Sequence, residues 1–133
     1  MGLRDKVVAS WVIAAGSGKH VKIPNADRAV VPPIKLLGYV LSHWHPKGRG
    51  KLKGLALQGY TRYNFRVLER DLKKHVKNDA IEGPVTPFGH TYSVEANLTG
   101  PNGRTMNIVS VWIIETGTDV PRFVTLHLED PPS

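Results

Sequence analysis

The hydrophobic period of this chain changes once, around Gly83-Pro84, and that change limits the folds open to it. Before it, Phe65, Leu68, Leu72 and Val76 recur at spacings of three and four, the buried stripe of an amphipathic helix. After it, Tyr92, Val94, Ala96 and Leu98 alternate with Ser93, Glu95, Asn97 and Thr99, which puts the apolar groups on one face of a strand. Gly100-Pro101-Asn102-Gly103 is a turn signal, and the strand after it, about Arg104 to Glu115, is apolar on both faces, as a central strand is. Gly117-Thr118-Asp119 turns the chain again. A third strand over Arg122 to Glu129 then directs Val124, Leu126 and Leu128 inward, with Phe123, Thr125 and His127 on the other face beside Trp112 and Ser110. The expected class is α+β, with N-terminal helices packed on a C-terminal antiparallel β-meander of three to four strands.

At 133 residues, one core is the working assumption. The apolar run Val7 to Ala15 has no clear period and is compatible with a strand or a short helix. Gly16-Ser17-Gly18-Lys19 lacks the spacing of a phosphate loop. Val21 to Val31 reads as an irregular connector. A first helix runs from about Pro33, which suits the first helical position, to Ser42, with Ile34, Leu37 and Leu41 on one face. His43 to Lys51 is a loop by its Pro and Gly content, followed by a short helical segment with Leu52, Leu55 and Ala56 that Gly59 stops. Thr61 is the N-cap of the next helix, which ends near Asn78.

Charge narrows the partners. The net charge is +7, and residues 43–77 alone hold ten basic and two acidic side chains, whereas residues 78–133 hold two and seven. Arg62, Arg66, Arg70, Lys73 and Lys77 fall largely at helical spacings of three and four, so they form a ridge on the outer face of one helix. Such a ridge is a phosphate-binding surface or a solvated helix exterior. No apolar run approaches the roughly 20 residues of a membrane helix, and the start lacks the pattern of a secretory signal. With no cysteine, thiol catalysis, disulfides and cysteine-zinc sites are excluded.

His43-x-His45 falls short of the three or four ligands of a metal site, so neither metal nor cofactor is expected. His45 beside Lys47, Arg49 and Lys51 instead has the parts for cutting RNA without a metal: a group that exchanges a proton and cations that hold a phosphate. The plainer reading makes it a helix-capping loop. Phe123, Thr125 and His127 with Trp112 would make an aromatic and polar platform for a base, and Arg122 has the fork for a bidentate grip on phosphate, although it also has Asp119 nearby as a partner. His90 and Tyr92 open the first strand of the meander and are further candidates for substrate contact.

Three runs carry a resemblance: Val31-Pro32-Pro33-Ile34-Lys35-Leu36-Leu37-Gly38-Tyr39-Val40-Leu41, then His45-Pro46-x-Gly48-x-x-Lys51, then Leu57-Gln58-Gly59-Tyr60-Thr61. They continue through Phe88-Gly89-x-x-Tyr92, Gly100-Pro101-Asn102-Gly103, Val111-Trp112-Ile113 and Asp119-x-Pro121-Arg122-Phe123-Val124-Thr125. Together they resemble a bacterial domain-of-unknown-function family found standalone and at the C-termini of polymorphic toxins. The match spans about residues 23–128 of a single domain 1–133 and leaves 1–22 as an N-terminal extension. The resemblance implies a cytotoxic effector, and the order of helices and strands is similar to the ribonuclease superfold of barnase, EndoU, colicin-type nucleases and RelE. It places the catalytic set at His45, Lys51, Arg122 and Thr125. Substrate contacts are expected at Lys47, Arg49, Tyr92, Trp112, Arg66, Arg70 and Lys73. The function it implies is a metal-independent endoribonuclease toxin acting on tRNA or mRNA in the cytoplasm, restrained by an acidic antitoxin or immunity protein, with no membrane partner. The alternatives are a non-catalytic nucleic-acid-binding module and a protein-interaction domain that docks an acidic partner.

Overall fold

Alternating apolar residues build a sheet once each strand finds a partner that hides its apolar face, and here the partners follow in chain order. The computed structural model describes residues 20–42 and 48–128, the side chains of 48–50 excepted. Strands β2 (Ala80–Thr86), β3 (Gly89–Thr99), β4 (Thr105–Glu115) and β5 (Arg122–Leu128) form an antiparallel meander. A two-residue strand, β1 (His20–Val21), pairs with Ile81 and Ala80, so the sheet has five strands in the order β1-β2-β3-β4-β5. The class is α+β with two corrections. The strands number five instead of three to four, and among the described residues the helices sit mid-chain, after β1.

Strand β2 was not expected because Gly83-Pro84 reads as a break. The structure places an irregularity between Glu82 and Val85 there, where a proline lacking its N–H is tolerated. A second register shift changes β5: Val111 faces Thr125 while Trp112 faces Phe123. One additional residue reverses the alternation. Phe123 therefore joins Trp112 in the helix-covered core, edge to face at 5.4 Å between centroids, and Val124 packs with Val109 and Val111 on the opposite face. The expected inward set of β5 is corrected accordingly.

Pro33 opens helix α1 (Pro33–Lys35), which widens at once into a turn over Leu36–Val40, with the Leu41 N–H reaching the Leu36 carbonyl at 2.8 Å. The wider turn rotates the face, so Leu36, Val40 and Leu41 are buried while Ile34, expected inside, is 72% exposed. Helix α2 (Gly48–Leu57) begins within the stretch expected to be loop. Gly54 packs directly against Leu128 of β5, whose side chain would have to shift for a Cβ there. Thr61 does cap, through a short 3-10 turn over Arg62–Asn64: its hydroxyl accepts from the N–H groups of Tyr63 and Asn64, and Asn64 Oδ1 accepts from the Thr61 N–H. Helix α3 (Phe65–His75) follows and ends at His75, three residues before Asn78.

The core lies between these helices and the sheet. Leu36, Leu55, Leu68, Leu72, Val94, Ile108, Trp112 and Leu126 are wholly buried in one cluster, each contributing about 1.5–3 kcal/mol over leaving it in water. The chain from Ile23 to Val31 joins it and reaches the far edge, where Val30 accepts from the Phe123 N–H and donates to Pro121. Most polar groups inside are tied, Gln58 Oε1 being a buried exception. Gln58 Nε2 donates to Leu98 O at 2.6 Å and Arg104 O at 3.2 Å, clamping the end of α2 to the β3–β4 hairpin. Gly100 makes that clamp possible, since any Cβ there would overlap the Gln58 carbonyl. Tyr60 donates to Asp71 Oδ2 at 2.6 Å, and burial together with that carboxylate pushes the phenol pKa up.

Candidate functional site

The helical stripe that buries Leu68 and Leu72 leaves the basic residues of α3 on the outside. Arg66, Arg70, Lys73, Lys74 and Lys77 line an open cleft of about 400 Å³, with Glu69 in its wall and Asp27, from the 3-10 turn Ala26–Arg28, on the opposite side. Glu69 is shared by Arg66 at 3.4 Å and Lys73 at 3.7 Å, and Arg70 lies 3.5 Å from Asp71. Among the described residues, Lys74 and Lys77 have no ion-pair partner. Five cations against two carboxylates leave a surplus of positive charge facing solvent, which attracts a polyanion or an acidic surface.

A second grouping forms where the wide turn meets β5. The Thr125 hydroxyl donates to the Tyr39 hydroxyl at 3.3 Å, and Lys51 Nζ stands 5.8 Å from the centroid of the Tyr39 ring. Tyr39 thus links two of the expected catalytic residues, which are otherwise 74 positions apart in the chain. Sequence reasoning passed over Tyr39 because it belongs to an apolar run. Its phenol, near the middle of a run otherwise free of polar groups from Leu36 to Leu41, was the available signal. Arg122 is not part of this contact. It pairs with Glu115 at 3.8 Å, and both side chains are half exposed. His45 and Lys47 lie outside the described residues, as does the side chain of Arg49.

The expected stacking platform is corrected. Trp112 is completely buried, its indole N–H donating to Ser110 Oγ at 2.8 Å, so it has no ring face to offer a base. Tyr92 is 4% exposed and is already stacked by His90, with 4.5 Å between ring centroids. Its hydroxyl lies 3.2 Å from His90 Nδ1, and Glu82 Oε1 lies 3.9 Å from His90 Nε2. Burial first, and Glu82 second, push the Tyr92 pKa up, so the phenol keeps its proton. Glu82 was not singled out from sequence because β2 was not recognised.

The other conspicuous histidine is structural. His75, 2% exposed, has Ser110 Oγ 2.7 Å from Nδ1 and Ala96 O 2.9 Å from Nε2. The carbonyl requires Nε2–H and Trp112 occupies Ser110 as a donor, so the arrangement fits a neutral ring receiving the serine proton at Nδ1. Burial pushes the His75 pKa down.

Among the described residues no helix is long and apolar enough to cross a membrane. No curated protein matches the chain. The fold is similar to a chain in the solved contact-dependent growth inhibition toxin–immunity protein complex from Klebsiella pneumoniae 342, with a TM-score of 0.64 and 16% identity over 80% of this chain and 97% of that one. At that identity the likeness establishes the fold. The family model of a domain of unknown function, DUF6883, matches residues 22–130, and with that much of its length covered the chain belongs to this family.

Proposed function

We propose that this protein is a metal-independent endoribonuclease of the toxin type, which cuts tRNA or mRNA in a bacterial cytoplasm and is neutralised by an acidic antitoxin or immunity protein. The observation that supports this most is the cationic cleft along α3, since five positive side chains around one groove suit a phosphate backbone. The likeness of the fold to a chain in a toxin–immunity complex points the same way.

In this reading Arg66, Arg70 and Lys73, with Lys47 and Arg49, hold the RNA. His45 takes the proton from the attacking 2′-hydroxyl, Lys51 and Arg122 neutralise the phosphate, and Thr125, itself buried, acts from beneath by holding the Tyr39 hydroxyl. A half-exposed pair such as Arg122–Glu115 is worth little in water, so a phosphate displaces the carboxylate at small cost. The test incubates the full chain with total tRNA and an mRNA pool in EDTA, beside His45→Ala, and reads a denaturing gel. Discrete cleavage that persists in chelator and is lost with the substitution is expected. RNA left intact but shifted in a native gel at low salt would replace this reading with a non-catalytic binding module.

A further inference from the structure

Every side chain that lines the cleft along α3 is charged and none is aromatic. Cations hold a phosphate backbone in place but do not engage its bases. We infer that Tyr63, at the Arg66 end of the cleft, is where an unpaired RNA base stacks, so that the cleft takes a single-stranded segment in preference to a closed duplex. This rests on the RNA-binding part of the function proposed above and on no catalytic step.

The run Arg62-Tyr63-Asn64-Phe65-Arg66 sets two aromatic rings between two arginines. The capping box fixes its backbone, with the Thr61 hydroxyl accepting from the N–H groups of Tyr63 and Asn64, and Asn64 Nδ2 donates to the Gly59 carbonyl at 2.9 Å. From this fixed turn the two rings part. Phe65 packs against the core, and the Arg66 guanidinium lies 5.0 Å from its centroid. Tyr63 is 91% exposed, with the Arg62 guanidinium 6.0 Å from its centroid. Among the described residues the Tyr63 hydroxyl makes no hydrogen bond and Arg62 no ion pair, so the fold uses neither. A lone exposed apolar side chain is ordinary, and what distinguishes this one is its company. Phe88, also exposed, stands between Pro87 and Gly89 on the β2–β3 turn, with no cation next to it in the chain.

Tyr63 precedes Arg66, the first cation of the cleft, by three residues, a rise of about 5 Å, and side chains at that spacing are neighbours on a helical surface. A strand whose phosphates follow Arg66, Arg70 and Lys73 therefore brings the next base to the ring, where Arg62 adds a further positive charge. In a duplex the bases are paired and stacked on one another, and the side of the helix offers the ring only sugar and phosphate. In a single strand a base is free to turn out and cover the phenol, and stacking of this kind accepts any base because each has a π-face. An exposed tyrosine beside arginines also suits a protein interface. Its continuity with five cations against two carboxylates favours RNA.

The experiment compares the full chain with Tyr63→Ala and Tyr63→Trp, with folding checked by circular dichroism. The probe is a fluorescein-labelled 2′-O-methyl RNA of about a dozen nucleotides, which has no 2′-hydroxyl through which to be cut, used alone and annealed to its complement. Anisotropy titrations over a range of salt give affinity and its salt slope. Tyr63→Ala is expected to weaken single-strand binding about 5- to 100-fold, with the salt slope unchanged because no charge is lost, and to leave the duplex almost unaffected. Tyr63→Trp, which keeps a ring at the position, retains single-strand affinity. Single-strand binding that Tyr63→Ala leaves unchanged, or a loss of equal size on the duplex, overturns the stacking role and spares the RNA reading. Failure of the unsubstituted chain to bind either RNA overturns that reading and this role with it.

Discussion

His75 and His90 stand at opposite ends of what a histidine does in this fold. His75 is enclosed between α3 and the sheet, with both ring nitrogens committed to Ser110 and Ala96. His90 sits at an open end of β3, with a third of its side chain exposed and a carboxylate beside it. Burial pushes the pKa of the first down, whereas the second lies 3.9 Å from the Glu82 carboxylate. The same side chain is thus a core hydrogen-bonding block in one place and a part-exposed group beside a carboxylate in the other.

The comparison breaks most readily on stability. His75→Ala removes a buried ring and leaves Ser110 Oγ and the Ala96 carbonyl short of a partner, so the loss is about 3 kcal/mol. His90→Ala, at a half-open site, costs less than about 1 kcal/mol. Urea unfolding of the two variants measures both, and equal losses would show that His90 is as structural as His75.

Much of this contrast was out of reach of the sequence, and the reason is register. The stripe of α3, the turn at Gly100–Gly103 and the two-faced burial of β4 were all legible, because each depends on residues within a few positions of one another. The irregularity at Glu82–Val85, the shift in β5 and the wide turn at Leu36–Val40 were not, because each follows from how a segment meets a distant partner. The candidate site divides in the same way. The cations of α3 are neighbours at helical spacing and read directly as a ridge. The contact of Thr125 with Tyr39 spans 86 positions, and the approach of Glu82 to His90 crosses a strand that the Gly-Pro break concealed. The platform of Phe123, Thr125 and His127 with Trp112 was misplaced for the converse reason, since period two does not show which face of the sheet the helices cover, and Trp112 and Phe123 lie in the covered core.

A smaller effect sharpens the contrast through pH. The folded-state pKa of His75 is lowered from 6.5, so between the folded value and 6.5 the unfolded chain binds a proton that the folded chain refuses. Stability therefore falls as pH drops below about 6.5 and is fully present above it. Asp79, whose pKa Lys22 lowers from 3.8, acts only at more acid pH and does not obscure this window. Melting temperatures between pH 7.5 and 5 are expected to decline for the unsubstituted chain and for His90→Ala, and to flatten for His75→Ala. A decline that survives in His75→Ala would assign the acid sensitivity elsewhere.

The mildest test separates the cleft from the chemistry. Lys77 lines the groove without an ion-pair partner among the described residues, so Lys77→Ala removes positive charge without leaving a buried carboxylate behind. If phosphates lie along α3, the substitution removes about one counterion-releasing contact. The slope of log affinity against log salt then shrinks by roughly 0.7 for single-stranded RNA, or 0.9 where the contact is to a duplex. Lys73 is partly committed to Glu69, so Lys73→Ala gives a smaller change in slope and releases Glu69 to Arg66 alone. In neither variant should the pH dependence of cleavage move, because neither residue touches the histidines. Slopes that stay constant across both variants would take the RNA off this face and leave the ridge to an acidic protein.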